Sequence, residues 1–327
     1  MKKLFQGSGL FVISFLLFGA LAWATPAGAG DRPAAPGLSF LFDKEAFSIV
    51  GSPAEPAVSG KISKLSLKLY GGYSYIGAAD VNDGSNGYFE ALETYAAEGG
   101  TMTGGFKPLH GGYDFGADLV YQITPNIGVG LGAGYMRNSK SSLGTLTDGL
   151  DELQATADSA VTAIPLRLGV FFTFPVSARL DLTADAGGTY YAGLKLDATQ
   201  RFSANTTNFI ESSVASLTAG SANLGFHGSL GVEYKFTPMF GFFVEAAGRY
   251  AKLKNFEKAE EILNSSFSGS ETVEGGLYIV TYSYGSFVYS MFTVSETTPV
   301  DGPDATYRVP KFDLSGFSLQ AGIRIHF

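Results

Sequence analysis

Hydrophobic and polar residues alternate strictly through the last eleven residues of the chain, 317–327. Apolar side chains recur at every second position from Phe317 to Phe327, and polar or small residues such as Ser318 and Arg324 stand between them. A period of two places the two sets on opposite faces of a β-strand. The pattern therefore predicts a strand with one apolar face and one polar face.

Seven further segments show a similar alternation, which gives eight predicted strands of 11 to 16 residues. A tilted strand needs about 9–11 residues to cross a bilayer, so each segment is long enough to do so. The eight ranges are 64–76, 111–123, 126–136, 163–174, 178–192, 222–236, 240–254 and 312–327. The sequence thus predicts an all-β fold.

The connections between these strands alternate between short and long. The short ones are 124–126, 175–178 and 237–239, and the long ones are 77–110, 137–162, 193–221 and 255–311. Tight turns on one side and long loops on the other are the topology of an outer-membrane barrel. We predict a transmembrane antiparallel up-and-down β-barrel of 8 strands, with long extracellular loops, short periplasmic turns and both termini in the periplasm.

The last long loop leaves a second strand count open. Its apolar stretches Leu277–Tyr284 and Phe287–Val294 could be two more spanning strands of a 10-stranded barrel. Each has about eight residues, which is short for a spanning strand, so a hairpin above the membrane is the preferred interpretation. Helix-like patterns occur in the long loops at 89–97, 146–158 and 256–263.

The amino-terminal residues have the pattern of a secretory signal. Lys2 and Lys3 precede an apolar core at 10–21, which is too short for a membrane helix, and Ala24 ends a candidate cleavage site. The predicted organisation is a signal peptide at 1–24, a periplasmic N-terminal tail at 25–60 and an outer-membrane barrel at 61–327. The chain contains no cysteine, which excludes disulfides and thiolate metal sites.

Composition agrees with a membrane-facing barrel and excludes one class of partner. Aromatic residues make up 14% of the chain, and the net charge is −8, which argues against a nucleic-acid partner because phosphates need a basic surface. Outward aromatic residues fall into two groups, which predicts two girdles at the membrane surfaces. The group near the long loops is Tyr73, Tyr75, Tyr113, Tyr135, Tyr190 and Tyr250; the group near the turns is Phe172, Phe174, Tyr234, Phe236, Phe240, Phe242 and Phe327.

Positive and negative charges are nearly balanced at the inward positions. An eight-stranded barrel is just wide enough to be filled by its own side chains, and buried charges must be paired. We therefore expect a polar network in the lumen, with Arg167 and Asp185 as one candidate pair. A narrow pore is the alternative, because inward glycines of 126–136 leave some space. The predicted network is Lys68, Asp114, Asp118, Arg167, Asp181, Asp185, Glu233, Lys235, Glu245, Arg249 and Arg324.

With its export signal, eight amphipathic strands and terminal Phe327, the chain resembles the small outer-membrane β-barrel families formed by the membrane domain of outer membrane protein A and by outer membrane protein W. The resemblance covers about 64–327. It implies a location in the cell outer membrane, contact with outer-membrane lipid and lipopolysaccharide, and recognition of Phe327 by the barrel assembly machinery. It also implies a structural or surface-recognition role or, as in outer membrane protein W, a narrow porin-like pore for small or hydrophobic solutes. A monomer is the expected state.

His227, Ser229 and Glu245 are the catalytic candidates, with His-x-Ser on one strand and Glu on the next. They resemble the His–Ser–Glu set of the outer-membrane lipid A deacylases, in which the histidine would take the serine proton. Here all three fall on the lumen face, so a lipid A-modifying hydrolase is the least favoured function. His110 beside Asp114 lacks the acid pair of outer-membrane proteases. We expect no enzymatic activity, no cofactor and no metal site.

Overall fold

The computed structural model of the chain describes residues 64–97, 99–149, 151–205, 210–253, 256, 258–265, 269–285 and 287–327. They belong to one compact unit, Ser63–Phe327, and the predicted signal peptide and tail lie outside the described residues. One helix, α1 (Ala79–Ala97), stands among fifteen strands in this part of the chain. The strands are β1 (Leu65–Ile76), β2 (Thr101–Gly105), β3 (Gly111–Gln122), β4 (Ile127–Asp148), β5 (Asp151–Pro175), β6 (Leu180–Asn205), β7 (Ile210–Lys235), β8 (Phe240–Tyr250), β9 (Lys252–Leu253), β10 (Lys258–Ser265), β11 (Gly269–Tyr284), β12 (Phe287–Ser295), β13 (Ala305–Arg308), β14 (Phe312–Asp313) and β15 (Gly316–His326).

Eight antiparallel strands pair in a closed ring. The order around the ring is β1–β3–β4–β5–β6–β7–β8–β15, and β15 pairs again with β1. The eight segments predicted from the alternation all overlap these strands. An all-β antiparallel fold is thereby confirmed.

The three short turns of the ring are held by the same type of side-chain hydrogen bond. Thr124, Ser177 and Thr237 stand at equivalent positions, and each side-chain oxygen accepts a hydrogen bond from the backbone N–H three residues on, at 3.0 to 3.1 Å. Such local bonds hold the backbone in a turn and fix the register of the strands on both sides. The sequence signal is a Ser or Thr followed, three positions later, by the first apolar residue of the next strand.

At the opposite end the sheet continues beyond the ring. Strands β4 to β7 are 22 to 26 residues long, β2 pairs with β4, and β10 pairs with β7. The prediction of loops at 137–162 and 193–221 is therefore wrong, because most of these residues continue strands β4 to β7. We call the described residues of 77–110, 137–162, 193–221 and 252–314 the cap.

The remaining cap elements complete this upper sheet. Strands β11 and β12 form a hairpin that joins the edge of β10 in the cap and has no place in the ring order. Helix α1 contains the patch predicted at 89–97, whereas residues 146–148, 151–158 and 258–263 of the other two patches pair as strands, because sheet pairing overrides a local helical pattern. Gly84 of α1 lies against the ring of Phe292, where a Cβ would come within 2.5 Å. Across the described residues, the helical segment falls short of the apolar length that crossing a bilayer requires.

Candidate functional site

The outward face of single strands changes from apolar to polar where the ring meets the cap. On β4, Leu131 points outward and is 63% exposed, whereas Arg137 and Ser139 follow on the same face. On β6, the exposed Tyr190 is followed by the exposed Lys195. The ring therefore presents a belt of apolar side chains that no part of the described chain covers, and the cap presents a water-compatible surface.

The inward face changes in the opposite sense. On β5, Arg167 points into the ring, whereas Val161 is fully buried in the cap. On β6, Asp185 and Leu196 show the same contrast. A register shift between Tyr191 and Leu194 adds a bulge, so the strand keeps its inward side across the boundary. Ring and cap thus have opposite arrangements of polar and apolar groups around the same strands.

Exposed aromatic side chains mark both edges of the apolar belt. Near the cap they are Tyr73, Tyr113, Tyr190 and Tyr250, and near the turns they are Phe174, Tyr234, Phe236, Phe240, Phe242 and Phe327. Phe327 donates its backbone N–H to the carbonyl of Leu65 at 2.9 Å, and the residue is 60% exposed. The predicted assembly signal therefore lies at the outer surface of the turn end.

The cap has an apolar core that the sequence did not predict. The rings of Phe256 and Phe312 lie 4.1 Å apart at its centre, surrounded by Val161, Leu194, Leu196, Ala219, Leu253, Leu277, Ile279 and Phe292. The carboxylate of Glu261 enters the cap interior, where it accepts the backbone N–H of Val294 at 3.0 Å. Burial raises the pKa of Glu261 above its ordinary value, and the nearby Glu271 adds to the rise.

Ion pairs fill the ring at the turn end. Glu233 is fully buried, and its carboxylate lies 3.2 Å from the guanidinium of Arg324 and 2.7 Å from Nε2 of His326. Lys235 lies 2.5 Å from Asp181. The charges at this end therefore have partners of opposite or complementary character, as burial requires.

A second cluster occupies the middle of the ring. Nζ of Lys68 lies 2.5 Å from Glu245 and 3.9 Å from Asp185. The Ser229 hydroxyl donates to Asp185 and, at 3.3 Å, to Glu245. One cation and one hydroxyl thus hold two carboxylates together in a buried position.

Arg167 spans the ring to a partner two strands away. It lies 2.6 Å from Asp118 and donates to the hydroxyl of Tyr70. Gly132 of β4 stands between Arg167 and Asp118 in the strand register, and a Cβ there would come 1.9 Å from the Asp118 carboxylate. The structure therefore has a pair of Arg167 with Asp118 in place of the expected pair with Asp185. Gly132 has no side chain, so the side chains of Arg167 and Asp118 can meet across β4.

Asp114 is the centre of a third cluster, next to the cap. Ser318 and Gln320 donate to its carboxylate at 2.6 and 2.9 Å, and Arg249 lies 3.9 Å away. Arg249 also donates to the hydroxyl of Ser74 at 2.6 Å. The predicted set took only charged residues and so missed Ser318 and Gln320, which the period of two places on the same inward face.

Little space remains inside the ring. The inward glycines of β4 were expected to leave room, but neighbouring side chains cover them; for example, the ring of Phe171 comes within 2.7 Å of a Cβ position on Gly130. Two cavities between described residues of the ring measure about 10 and 50 Å³, and about 10–15 Å³ admits one water. Beside the larger one, Asp114, Arg167 and Gln320 each have a buried polar atom without a partner among the described residues.

The three catalytic candidates all point into the ring, but they are not arranged as a triad. His227 bonds through Nδ1 to the hydroxyl of Thr189 at 2.7 Å, whereas Ser229 donates to Asp185 and Glu245. In a triad the histidine would accept the serine proton. The observed bonds instead make each residue part of the interior polar clusters.

His110 lies at the cap end of the ring, apart from its predicted neighbour. Its imidazole stacks on Tyr75 with ring centroids 5.0 Å apart, and Nδ1 lies 3.0 Å from the carbonyl oxygen of Ile76. Asp114 is engaged by Ser318 and the other groups of its own cluster. The structure therefore does not bring His110 and Asp114 together as a pair.

Comparison with known proteins gives only a distant structural likeness. No protein-family model matches the chain, and no curated protein matches it. Among solved structures, the outer membrane protease OmpT from Escherichia coli matches with 9% identity and a TM-score of 0.24, covering 84% of this chain and 100% of that one. The resemblance to the families of outer membrane proteins A and W gains no support from these comparisons and stays a prediction.

The match also corrects one expectation. The prediction that the chain is not an enzyme is contradicted, because the matched structure is a protease, and we no longer hold it. At this TM-score the likeness transfers no reaction, substrate or catalytic residue to the present chain.

Proposed function

We propose that the chain is an integral outer-membrane protein whose eight ring strands form a membrane-spanning β-barrel that carries the cap on the outer surface of the cell. The reversal of polarity where the ring meets the cap is the observation that carries this proposal. The outward face of β4 and β6 changes from apolar to polar, and the inward face of β5 and β6 changes from polar to apolar. Lipid outside the ring and water outside the cap account for the reversal.

The energetics of the belt favour lipid over water as its surroundings. Leu131, Leu168, Leu224 and Phe226 are 63%, 69%, 72% and 69% exposed. Burial of one such side chain in an apolar medium is worth roughly 1.5–3 kcal/mol. A soluble protein with an apolar belt around its whole circumference would associate through it. A bilayer removes this belt from water, and the paired charges inside the ring remain away from lipid.

We propose a structural or surface-recognition role, with the cap as the recognising part. The cap has its own apolar core and extended sheet, so it can hold a defined surface outside the membrane. The filled ring favours a closed interior. The alternative, a narrow pore for small or hydrophobic solutes, would require the ion pairs of Lys68 and Arg167 to separate. Conductance steps from the full chain in planar bilayers would contradict the closed interior; a silent bilayer is the expected result.

Cysteine labelling in intact cells tests the membrane assignment, because the chain has no native cysteine. Leu131→Cys and Ser139→Cys lie on the same face of β4, one in the belt and one in the cap. A membrane-impermeant maleimide should label Ser139→Cys at once, and Leu131→Cys only after the protein is unfolded in urea. Asn126→Cys, in a short turn, should react only after the outer membrane is opened. Equal labelling at 131 and 139 would refute a lipid-covered belt, and labelling of 126 alone in intact cells would refute the orientation.

A further inference from the structure

Three basic residues form one cross-strand row at the edge of the apolar belt. Arg137 of β4 pairs with Thr162 of β5, which pairs in turn with Lys195 of β6. Lys195 also pairs with Gly220 of β7, and Gly220 pairs with Lys258 of β10. The three cations therefore occupy every second strand, separated by small residues. Neighbouring strands lie about 4.8 Å apart, so successive cations are about 10 Å apart along the row.

All three cations point outward, just beyond the tyrosines on the cap side of the belt. Arg137 follows the girdle residue Tyr135 by two positions on the same face of β4. Lys195 is the first charged outward residue after Tyr190 on β6, and its side chain is 53% exposed. Lys258 is also exposed, and its neighbours Ala259 and Glu261 point inward. This row is called the basic row below.

Basic and acidic residues occupy successive cross-strand rows on the outward face of the sheet. The next outward row, one step further into the cap, is acidic. Asp197 and Glu260 both pair with position 218 of β7, and Glu274 pairs with Glu260. Lys195 contacts Asp197 at 2.7 Å, an exposed pair that contributes little. Within the described residues no ion pair forms at Arg137 or Lys258. In a chain of net charge −8, such a row of cations is complementary to anions at one defined depth.

We propose that the basic row binds the phosphate groups of a phosphorylated membrane glycolipid whose acyl chains cover the apolar belt. This inference rests on the proposed membrane location, since it places the row at the headgroup level. Cations at that level attract anionic headgroups, and the apolar side chains beneath hold the lipid tails. Thr162 and Gly220 leave gaps between the cations, so a headgroup with two phosphates can contact more than one of them.

The test is lipid A binding by the full chain folded in detergent micelles. The probes are purified bisphosphorylated lipid A and the same lipid after removal of its phosphates. Removal of one cation should weaken binding roughly fivefold, and the triple variant Arg137→Gln/Lys195→Gln/Lys258→Gln should weaken it on the order of a hundredfold. Binding of the dephosphorylated lipid should not change. The effect should also shrink at high salt, because surface charges are screened.

Arg201→Gln provides the matched control. Arg201 is exposed on the same face of β6, six residues beyond Lys195 and about 20 Å further from the belt. It should leave lipid A affinity unchanged. Equal affinities for the triple variant and Arg201→Gln would overturn the inference, as would displacement of lipid A by millimolar inorganic phosphate, which would indicate a site for free anions. Either result can occur with Leu131→Cys still protected by lipid, so failure here is distinct from failure of the proposed function.

Discussion

Gly132→Ala should break the ion pair that spans the ring. Gly132 stands between Asp118 and Arg167 in the register. A Cβ there would come 1.9 Å from a carboxylate oxygen of Asp118 and 2.8 Å from the carbonyl oxygen of Ala117. The carboxylate must turn away to admit the methyl group. Arg167 then keeps its bond to Tyr70 but loses its counterion.

The expected loss of unfolding free energy and the choice of a control variant both follow from the structure. Removal of one partner from a buried ion pair costs roughly 3–5 kcal/mol. Because Asp118 would be displaced and not deleted, we expect Gly132→Ala to lower the free energy of unfolding by about 3 kcal/mol. Gly188→Ala on β6 is the matched control, since no atom lies within 4 Å of its Cβ position. A strand glycine is about 0.5–1 kcal/mol less favourable than alanine, so the control should be neutral or slightly stabilised.

Urea titration of the protein folded in lipid vesicles, followed by circular dichroism, measures both variants. A third measurement isolates the mechanism. In an Asp118→Ala background the colliding carboxylate is absent, so the added cost of Gly132→Ala should fall below about 1 kcal/mol. The reasoning is refuted if Gly132→Ala costs no more than Gly188→Ala. It is also refuted if the cost is as large in the Asp118→Ala background as in the parent chain.

Two further predictions concern the cap. Burial raises the pKa of Glu261 above its ordinary value of 4.5, so the folded state holds the proton longer, and the stability of the cap should fall as pH rises from 4.5 through the raised pKa. In Glu261→Gln, which keeps an acceptor for Val294, thermal melting of the cap should lose this dependence; a wild-type curve that is flat or rises there would contradict it. Asp80→Asn removes the negative charge that lies 2.8 Å from Arg308 and should speed proteolysis around β13 at a cost below about 1 kcal/mol. Asp83→Asn, at 2.9 Å but more exposed, should have the smaller effect, and the opposite order would exclude Asp80 as the main attachment.

The ring was predictable because one rule applies along its whole length. With apolar residues outward at every second position, Leu131 and Leu168 were assigned to the outer face from the sequence, and the structure leaves both exposed. The partners inside the ring were not predictable in the same way. Whether Arg167 meets Asp118 or Asp185 depends on the register of three strands and on the bare position at Gly132, and single-strand periodicity contains no information on register.

The cap was missed for a different physical reason. Its strands keep the period of two, but small residues such as Ala157 and Ala219 replace the large apolar side chains, and they point inward instead of outward. A search for strands with apolar residues on the outward face therefore stops where the ring meets the cap. Pairing of β10 with β7 then joins residues more than thirty positions apart, which no local pattern specifies.

The polar interior of the ring is compatible with the outer-membrane location that we propose for the chain. A protein bound for the outer membrane must first cross the inner one, where a long apolar segment would be retained as a helix. Alternation keeps every strand below that limit, and the mean hydropathy of the whole chain is only +0.14. Half of the ring positions must then be small or polar, and in the folded barrel these positions share an interior without bulk water. At the location that we propose, the ion pairs of Lys68, Arg167 and Arg324 supply the partners that polar groups need once they are enclosed in the ring.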